Sequence, residues 1–275
     1  MTNRRLAVLA TLLASATAPS VAGASILHVH DSVGRLGTVD SDTGAVDVIG
    51  PLGVTLFDIA FDADGDLFGL TSSTFYRVDP QTAATTAIGS HGVPGGNALV
   101  FGTDGILYAA GGSSNDLFTI DPTTGVGTSI GTTGFASGGD LAFVGGNLFL
   151  ADQSGQLVSI DLDDLPASDA IGPFGIESVF GIATDETDTL FGVGGTTIFE
   201  VDTATGSATN ALDFGGNGLS GAFGQSFVTE AATPDPVVPP APEPAPVVPP
   251  IPLPASGLLL MGALAACGAA FRRTG

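Results

Sequence analysis

At 275 residues the chain has room for one large all-β domain or two ordinary ones, and 44% hydrophobic residues are too many for wholesale disorder. Its charge is lopsided: 28 Asp and Glu against six Arg and no Lys give −22, and between residues 25 and 233 only Arg35 and Arg77 oppose the acids. Such a surface repels phosphate backbones, which excludes nucleic acid as a partner, disfavours anionic lipid, and favours a soluble monomer.

The chain opens with a secretory signal pattern over residues 1–24. Arg4 and Arg5 form the charged start, Leu6 to Ala16 the apolar run, and Ala22-Gly23-Ala24 the small residues of a cleavage site. Signal peptidase is therefore expected to release a mature chain beginning at Ser25. The single cysteine, Cys267, leaves the body without a disulfide, a CxxC zinc site or thiol chemistry.

From Ser25 a five-fold repeat begins. A β-branched residue followed by Asp recurs at Val39-Asp40, Val78-Asp79, Ile120-Asp121, Ile160-Asp161 and Val201-Asp202, in steps of 39 to 42 residues. Ile-Gly follows at Ile49-Gly50, Ile88-Gly89, Ile130-Gly131 and Ile171-Gly172, loosening in the fifth copy to Leu212 and Phe214-Gly215. Leu-aromatic pairs precede the anchors at Leu67-Phe68, Leu107-Tyr108, Leu148-Phe149 and Leu190-Phe191. Each unit reads as four short strands, A to D, with Asp-Gly hairpins such as Asp64-Gly65 and Asp104-Gly105 between A and B. The fourth copy lacks the Gly that ends the C–D turn, so residues 161–166 should form an irregular loop.

Four strands per ~40 residues, repeated radially, predict an all-β, five-bladed β-propeller over residues 25–230. The first unit lacks strand A, and the missing strand is expected at Leu219-Ser220-Gly221-Ala222-Phe223, with Phe61, Phe101, Phe143, Thr184 and Phe223 at matching positions. Sharing one blade between the two ends would protect the sheet edges. The body is similar to the broad class of bacterial secreted propellers with IDPxTG-type repeats, which implies an architecture and no activity.

Three constellations could carry chemistry. Asp62-x-Asp64-Gly65-Asp66 resembles part of a calcium loop, but its Gly comes too early and no distal Glu follows, so a hairpin turn is favoured and no cofactor is expected. Asp58, Asn97, Asp140 and Ser220 fall at or beside the starts of the A strands, and Glu177 lies just upstream of another, forming a candidate ligand site at the channel mouth. Two carboxylates there could do acid–base work on a glycoside. His28-x-His30 puts two rings on one face of the first strand without an acidic partner, and is read as a surface feature.

The C-terminal end reads as three zones. Residues 231–254 form a proline-rich linker, with eleven prolines from Pro234 onward, extended at ~3.1 Å per residue. Ala255 to Phe271 is an uncharged hydrophobic helix at the short limit of a membrane span, and Arg272-Arg273 would pin its far end in the cytoplasm. Ile251-Pro252-Leu253-Pro254-Ala255-Ser256, the apolar segment and the Arg pair together resemble the VPLPA-CTERM variant of the exosortase sorting signals, with Ile in place of the usual first Val. Pro242-Glu243-Pro244 matches a PEP tripeptide but lies too far upstream to be the usual PEP-CTERM box. The resemblance implies an exopolysaccharide-producing Gram-negative host, an exosortase-like processing enzyme and an inner-membrane intermediate preceding the cell surface. The expected function is that of a non-enzymatic structural or interaction module at the surface or in the exopolysaccharide matrix. The alternative is an extracellular hydrolase or lyase acting on a sugar or lactone at the propeller mouth.

Overall fold

A computed structural model describes residues 25–231; the signal segment, residues 232–254 of the linker, the sorting motif and the C-terminal hydrophobic helix lie outside the described residues. Among the described residues no helix is long and apolar enough to cross a membrane, and helical structure is limited to a 3-10 turn at Leu165–Ala167. That turn sits in the C–D connection of the fourth repeat, where the turn glycine is missing.

Twenty strands form five four-stranded antiparallel sheets. The first blade pairs β1 (Ile26–Asp31), β2 (Arg35–Asp40) and β3 (Val46–Pro51) with β20 (Ala222–Phe227) from the far end. The others are consecutive: β4–β7 (Asp58–Ser90), β8–β11 (Gly96–Thr132), β12–β15 (Ser137–Pro173) and β16–β19 (Val179–Asp213). The innermost strands β4, β8, β12, β16 and β20 touch their neighbours in turn and close a ring.

The shared-blade closure stands, with one correction. The closing strand begins at Ala222, three residues later than expected, and Leu27 pairs with Phe227, so Phe227 and not Phe223 is the counterpart of Phe61, Phe101, Phe143 and Thr184. Ser220 and Leu219 belong to the connection instead. Asp31, fully buried at the end of β1, accepts hydrogen bonds from the backbone N–H groups of Val33, Arg35 and Ser220 and from Arg35 Nε. The Arg35 guanidinium lies 2.7 Å from the same carboxylate and donates to Ser220 Oγ at 3.1 Å. This clasp consumes the residues that the alternative register would have placed in the strand.

The core is divided among the blade interfaces. Five clusters of buried side chains each join two adjacent blades, such as Phe68, Leu70 and Phe75 with Phe101, Leu107 and Phe118. The recurrent Ile-Gly marks the outer end of each interface. A Cβ on Gly89 would sit 2.3 Å from the Thr124 carbonyl oxygen, in the C–D turn of the next blade, and one on Gly172 would sit 2.4 Å from Thr205 O. Backbone approaches backbone there, which leaves no space for a side chain. At the ring closure the arrangement inverts: Leu212, paired with Ile198, stands where the other blades have Gly, and packs against Gly44.

The repeated aspartates are turn formers. Asp40, Asp79 and Asp161 each accept the backbone N–H groups two and three residues ahead, and Asp121 and Asp202 accept the one two ahead.

Candidate functional site

The register of the inner strands builds two stacked rings at the start of the channel. Asp58, Ala98, Asp140, Gly181 and Gly224 occupy one level, paired with Leu70, Ala110, Ala151, Val193 and His30. Large side chains at two places and small ones at three leave room for the acids to reach across, and the Asp58 and Asp140 carboxyls come within hydrogen-bonding range of each other. Both residues are fully buried. Asp58 accepts the N–H of Ile59 at 2.8 Å and of Leu99 in the next blade at 2.6 Å; Asp140 likewise accepts those of Leu141 at 2.7 Å and Ile182 at 2.9 Å. Each therefore ties its own inner strand to the neighbouring one.

Burial holds both carboxyls well above the ordinary Asp range. For Asp140 the charge of Asp58 adds to this, while the backbone donors pull both back only in part. Two acids this close cannot both ionise cheaply, so the pair titrates as a unit with a shared proton.

A third carboxyl, which the sequence reading missed, approaches from below. Glu230, in the turn after β20, accepts the N–H of Thr184 at 3.2 Å and the hydroxyl of Ser226 at 2.9 Å. The residue stays partly exposed while its carboxyl is enclosed by protein; burial raises its pKa to about 8, against the lowering pull of Ser226 and the Thr184 and Phe227 backbone. The available signal was Thr184, the one non-aromatic member of a five-fold set of Phe residues, which leaves the space that Glu230 enters. Ala231 then packs into the interface of the second and third blades.

His30 sits beside this cluster, fully buried, with neither ring nitrogen paired by a well-formed hydrogen bond; a Cβ on Gly224 would meet both its Nε2 and Asp58 Oδ1. His28 stacks edge-on against Phe61 at 4.8 Å. Burial lowers both imidazoles to about 4. The expected surface pair is thus a neutral, largely buried one, because the shared blade covers β1 with β20.

One residue above the acids, at equivalent places in the five blades, stand Phe57, Asn97, Gly139, Phe180 and Phe223. With Gly95 and Gly138 they line an open hollow of about 300 Å³. The three Phe come from consecutive blades, and the Phe180 and Phe223 rings meet edge to face at 5.9 Å. Of the expected mouth residues, Asn97 lies in this collar, while Asp58 and Asp140 come together beneath it. Glu177 is an exposed loop residue that joins neither, and Ser220 is in the closure clasp. At the opposite end of the channel a larger hollow of about 650 Å³ is lined by Asp104, Asp185, Glu186, Asp188 and Glu230 among others.

The partial calcium loop is folded as a hairpin turn: Asp62 Oδ1 accepts the N–H groups of Asp64 and Asp66, and Asp66 pairs with Arg77. Among the described residues no group of three or more His, Cys, Asp or Glu is arranged to hold a metal ion.

No family model and no curated protein matches the chain. Among solved structures it is similar to a symmetrical protein from work on de novo evolutionary emergence under folding constraints, at 17% identity and a TM-score of 0.50 over 71% of this chain and 96% of that one. It is also similar to a chain of a Nidogen/Laminin complex, at 10% identity and a TM-score of 0.55 over 75% and 98% of the two chains. These likenesses show the fold alone, and the blade count of five is that of this chain's own sheets.

Proposed function

We propose that the chain is an exported, envelope-sorted, non-enzymatic propeller, acting as a structural or interaction module at the bacterial cell surface or in the exopolysaccharide matrix. The observation that carries the non-enzymatic part is the engagement of Asp58 and Asp140. Each of their oxygens accepts a backbone N–H, and the pair is sealed beneath the collar, so the acids hold blades together and present no free face to a substrate. The similar chain in the Nidogen/Laminin complex belongs to a protein–protein assembly, a use that the present reading shares in kind.

Export and sorting rest on the terminal segments: the signal pattern, the Ile251-to-Ser256 motif, the apolar run and Arg272-Arg273. In this reading signal peptidase cleaves first, the C-terminal helix holds the chain at the inner membrane, and an exosortase-like enzyme completes processing. The reading invokes no cofactor. Replacing Pro252 and Pro254 with Ala should leave the chain membrane-bound and unprocessed in a host carrying the processing enzyme. Fractionation with an antibody to the propeller, together with intact mass, reads this directly. Equal mass and distribution for wild type and variant would reduce the motif to a linker.

A second reading, hydrolysis or elimination on a sugar or lactone, draws on the same convergence of Asp58 and Asp140, since paired carboxyls with separated pKa values are what such chemistry uses. It requires the collar to open onto the acids. The stability of Asp58→Asn separates the two readings.

A further inference from the structure

The outer strand of every blade is followed by one buried residue: Leu52, His91, Thr133, Phe174 and Phe214, each 4% exposed or less. Their backbone N–H groups all donate to the B–C hairpin of their own blade, to the carbonyls of Gly34, Ser73, Asn115, Gly155 and Thr196. The five positions are therefore equivalent, and each begins the connection that carries the chain to the next blade at the mouth end of the channel. Three of the residues are apolar, and Thr133 turns its hydroxyl onto Asn115 O and Phe135 O. Only His91 can change its charge.

The His91 ring is built into its seam in one protonation state. Nε2 lies 3.0 Å from the Thr71 carbonyl oxygen, which only accepts, so this nitrogen carries the hydrogen. Nδ1 accepts the Val93 N–H at 3.1 Å and must be bare. A second proton on Nδ1 would set donor against donor at a residue only 1% exposed. The segments packed around it, residues 71–74, 92–96 and 125–128, contain no acidic or basic side chain to compensate the charge. Burial accordingly lowers the imidazole below its ordinary range, against the raising pull of the Thr71 carbonyl. The His91 carbonyl meanwhile accepts the N–H of Gly127 in the third blade at 2.9 Å, and the Pro94 and Gly95 carbonyls accept those of Ser113 and Gly112. Gly95 also lines the mouth hollow.

We infer that His91 is an acid-sensitive latch. While neutral it holds closed the connection 91–96, the seam between the second and third blades and one side of the mouth; protonation releases them. In the open connection the ring has its ordinary affinity for a proton, so the open form is protonated first and opening grows as pH falls below about 6.5. The latch is independent of what the module binds and of where it is delivered.

Hydrogen exchange of the full chain at pH 7 and pH 5, corrected for the pH dependence of the intrinsic rate, reads the latch through the amides of Val93, Gly96, Gly112 and Gly127. Their protection should fall about ten-fold at pH 5, the order of one lost hydrogen bond. The connections beginning at Thr133 and Phe174 hold no histidine and should change by less than about two-fold. They serve as controls because His28 and His30, in β1, give the first blade an acid response of its own. His91→Phe, the residue that two equivalent positions already hold, should abolish the fall. His91→Gln should do the same, since its amide keeps an acceptor and a donor without a titratable proton. Ring carbon-13 shifts of wild type at pH 7 should show the Nε2–H tautomer, a readout that needs no variant. The latch is overturned if wild-type protection is the same at both pH values, or if the Thr133 and Phe174 connections loosen as much. It is equally overturned if a folded His91→Phe or His91→Gln retains the fall, or if the ring carries its proton on Nδ1.

Discussion

Replacing Glu230 with Gln should stabilise the protein at alkaline pH and do little below pH 5. Burial holds the folded-state pKa at about 8 against an ordinary value of 4.5. A raised carboxyl pKa means that its contribution to stability is fully present below the unfolded value and is lost as pH rises through the folded one. At about 1.4 kcal/mol per unit, full ionisation costs up to about 5 kcal/mol, of which about 3 is already spent at pH 7. Glu230 is partly exposed, and solvent screening should reduce the observed effect to about 1–3 kcal/mol. Gln has no proton to lose, and its amide can still accept from Thr184 N–H and donate to Ser226 Oγ. His28 and His30, both lowered to about 4, impose a slope of opposite sign between about pH 4 and 6.5, but equally in both proteins. The assay is urea unfolding followed by far-UV circular dichroism from pH 5 to 9. Wild type should lose more stability than Glu230→Gln from pH 6.5 to 8.5, since the raised Asp58 and Asp140 tilt both curves the same way and leave the difference to Glu230. Parallel curves across that interval would refute the argument.

Asp58→Asn is expected to cost about 1–3 kcal/mol, because an amide cannot accept from both Ile59 and Leu99 and must set a donor against a donor; a catalytic acid held at the expense of stability would instead give a neutral or stabilising change in the same unfolding assay. Asp31→Ala opens the closure clasp and leaves Ser220 N–H and the Arg35 guanidinium without their acceptor, for an expected loss of about 2–4 kcal/mol in chemical denaturation. Burial raises the Asp31 pKa, but the Ser220, Arg35 and Val33 donors outweigh it and leave the carboxyl below its usual range. The advantage of wild type over Asp31→Ala should therefore hold above about pH 4 and vanish as pH falls through that lowered value. A constant difference down to pH 2 would show that the clasp acts without its charge.

Blade number, strand count and the shared-blade closure were legible in the linear order of residues because each depends on local chemistry. Asp-Gly and Asp-Pro-x-Thr turns, apolar strand positions and the glycine after each Ile repeat at one period, and a ring of equivalent units follows once the first copy lacks its inner strand. The irregular C–D connection of the fourth copy was legible for the same reason, since a missing turn glycine is a local fact. The register of the closing strand was not. Phe223 lies 39 residues beyond Thr184, within the 39 to 42 of the repeat, and Phe227 lies 43 beyond, just outside it, so periodicity favoured the wrong residue. The choice is made by Asp31, which draws Ser220 into a clasp 189 residues away in sequence, and by Phe227, which packs against Phe191 at 5.6 Å.

The candidate site divides in the same way. Asp58, Asn97 and Asp140 could be placed at the mouth because they sit at repeat-equivalent positions, but whether they meet, and which face upward, depends on side chains from non-adjacent blades. Small residues at Ala98, Gly181 and Gly224 allow the two acids to converge, and Thr184 admits Glu230; neither consequence exists until the ring closes. The collar came from the same periodic positions read one residue earlier, where Phe57, Phe180 and Phe223 look in sequence like ordinary core aromatics. What the sequence by itself determined was the repeating local geometry, set by turn chemistry and the two-residue alternation of strands. Tertiary structure alone decided which equivalent residues face one another across the channel, because burial and shared protons are properties of groups brought together by closure.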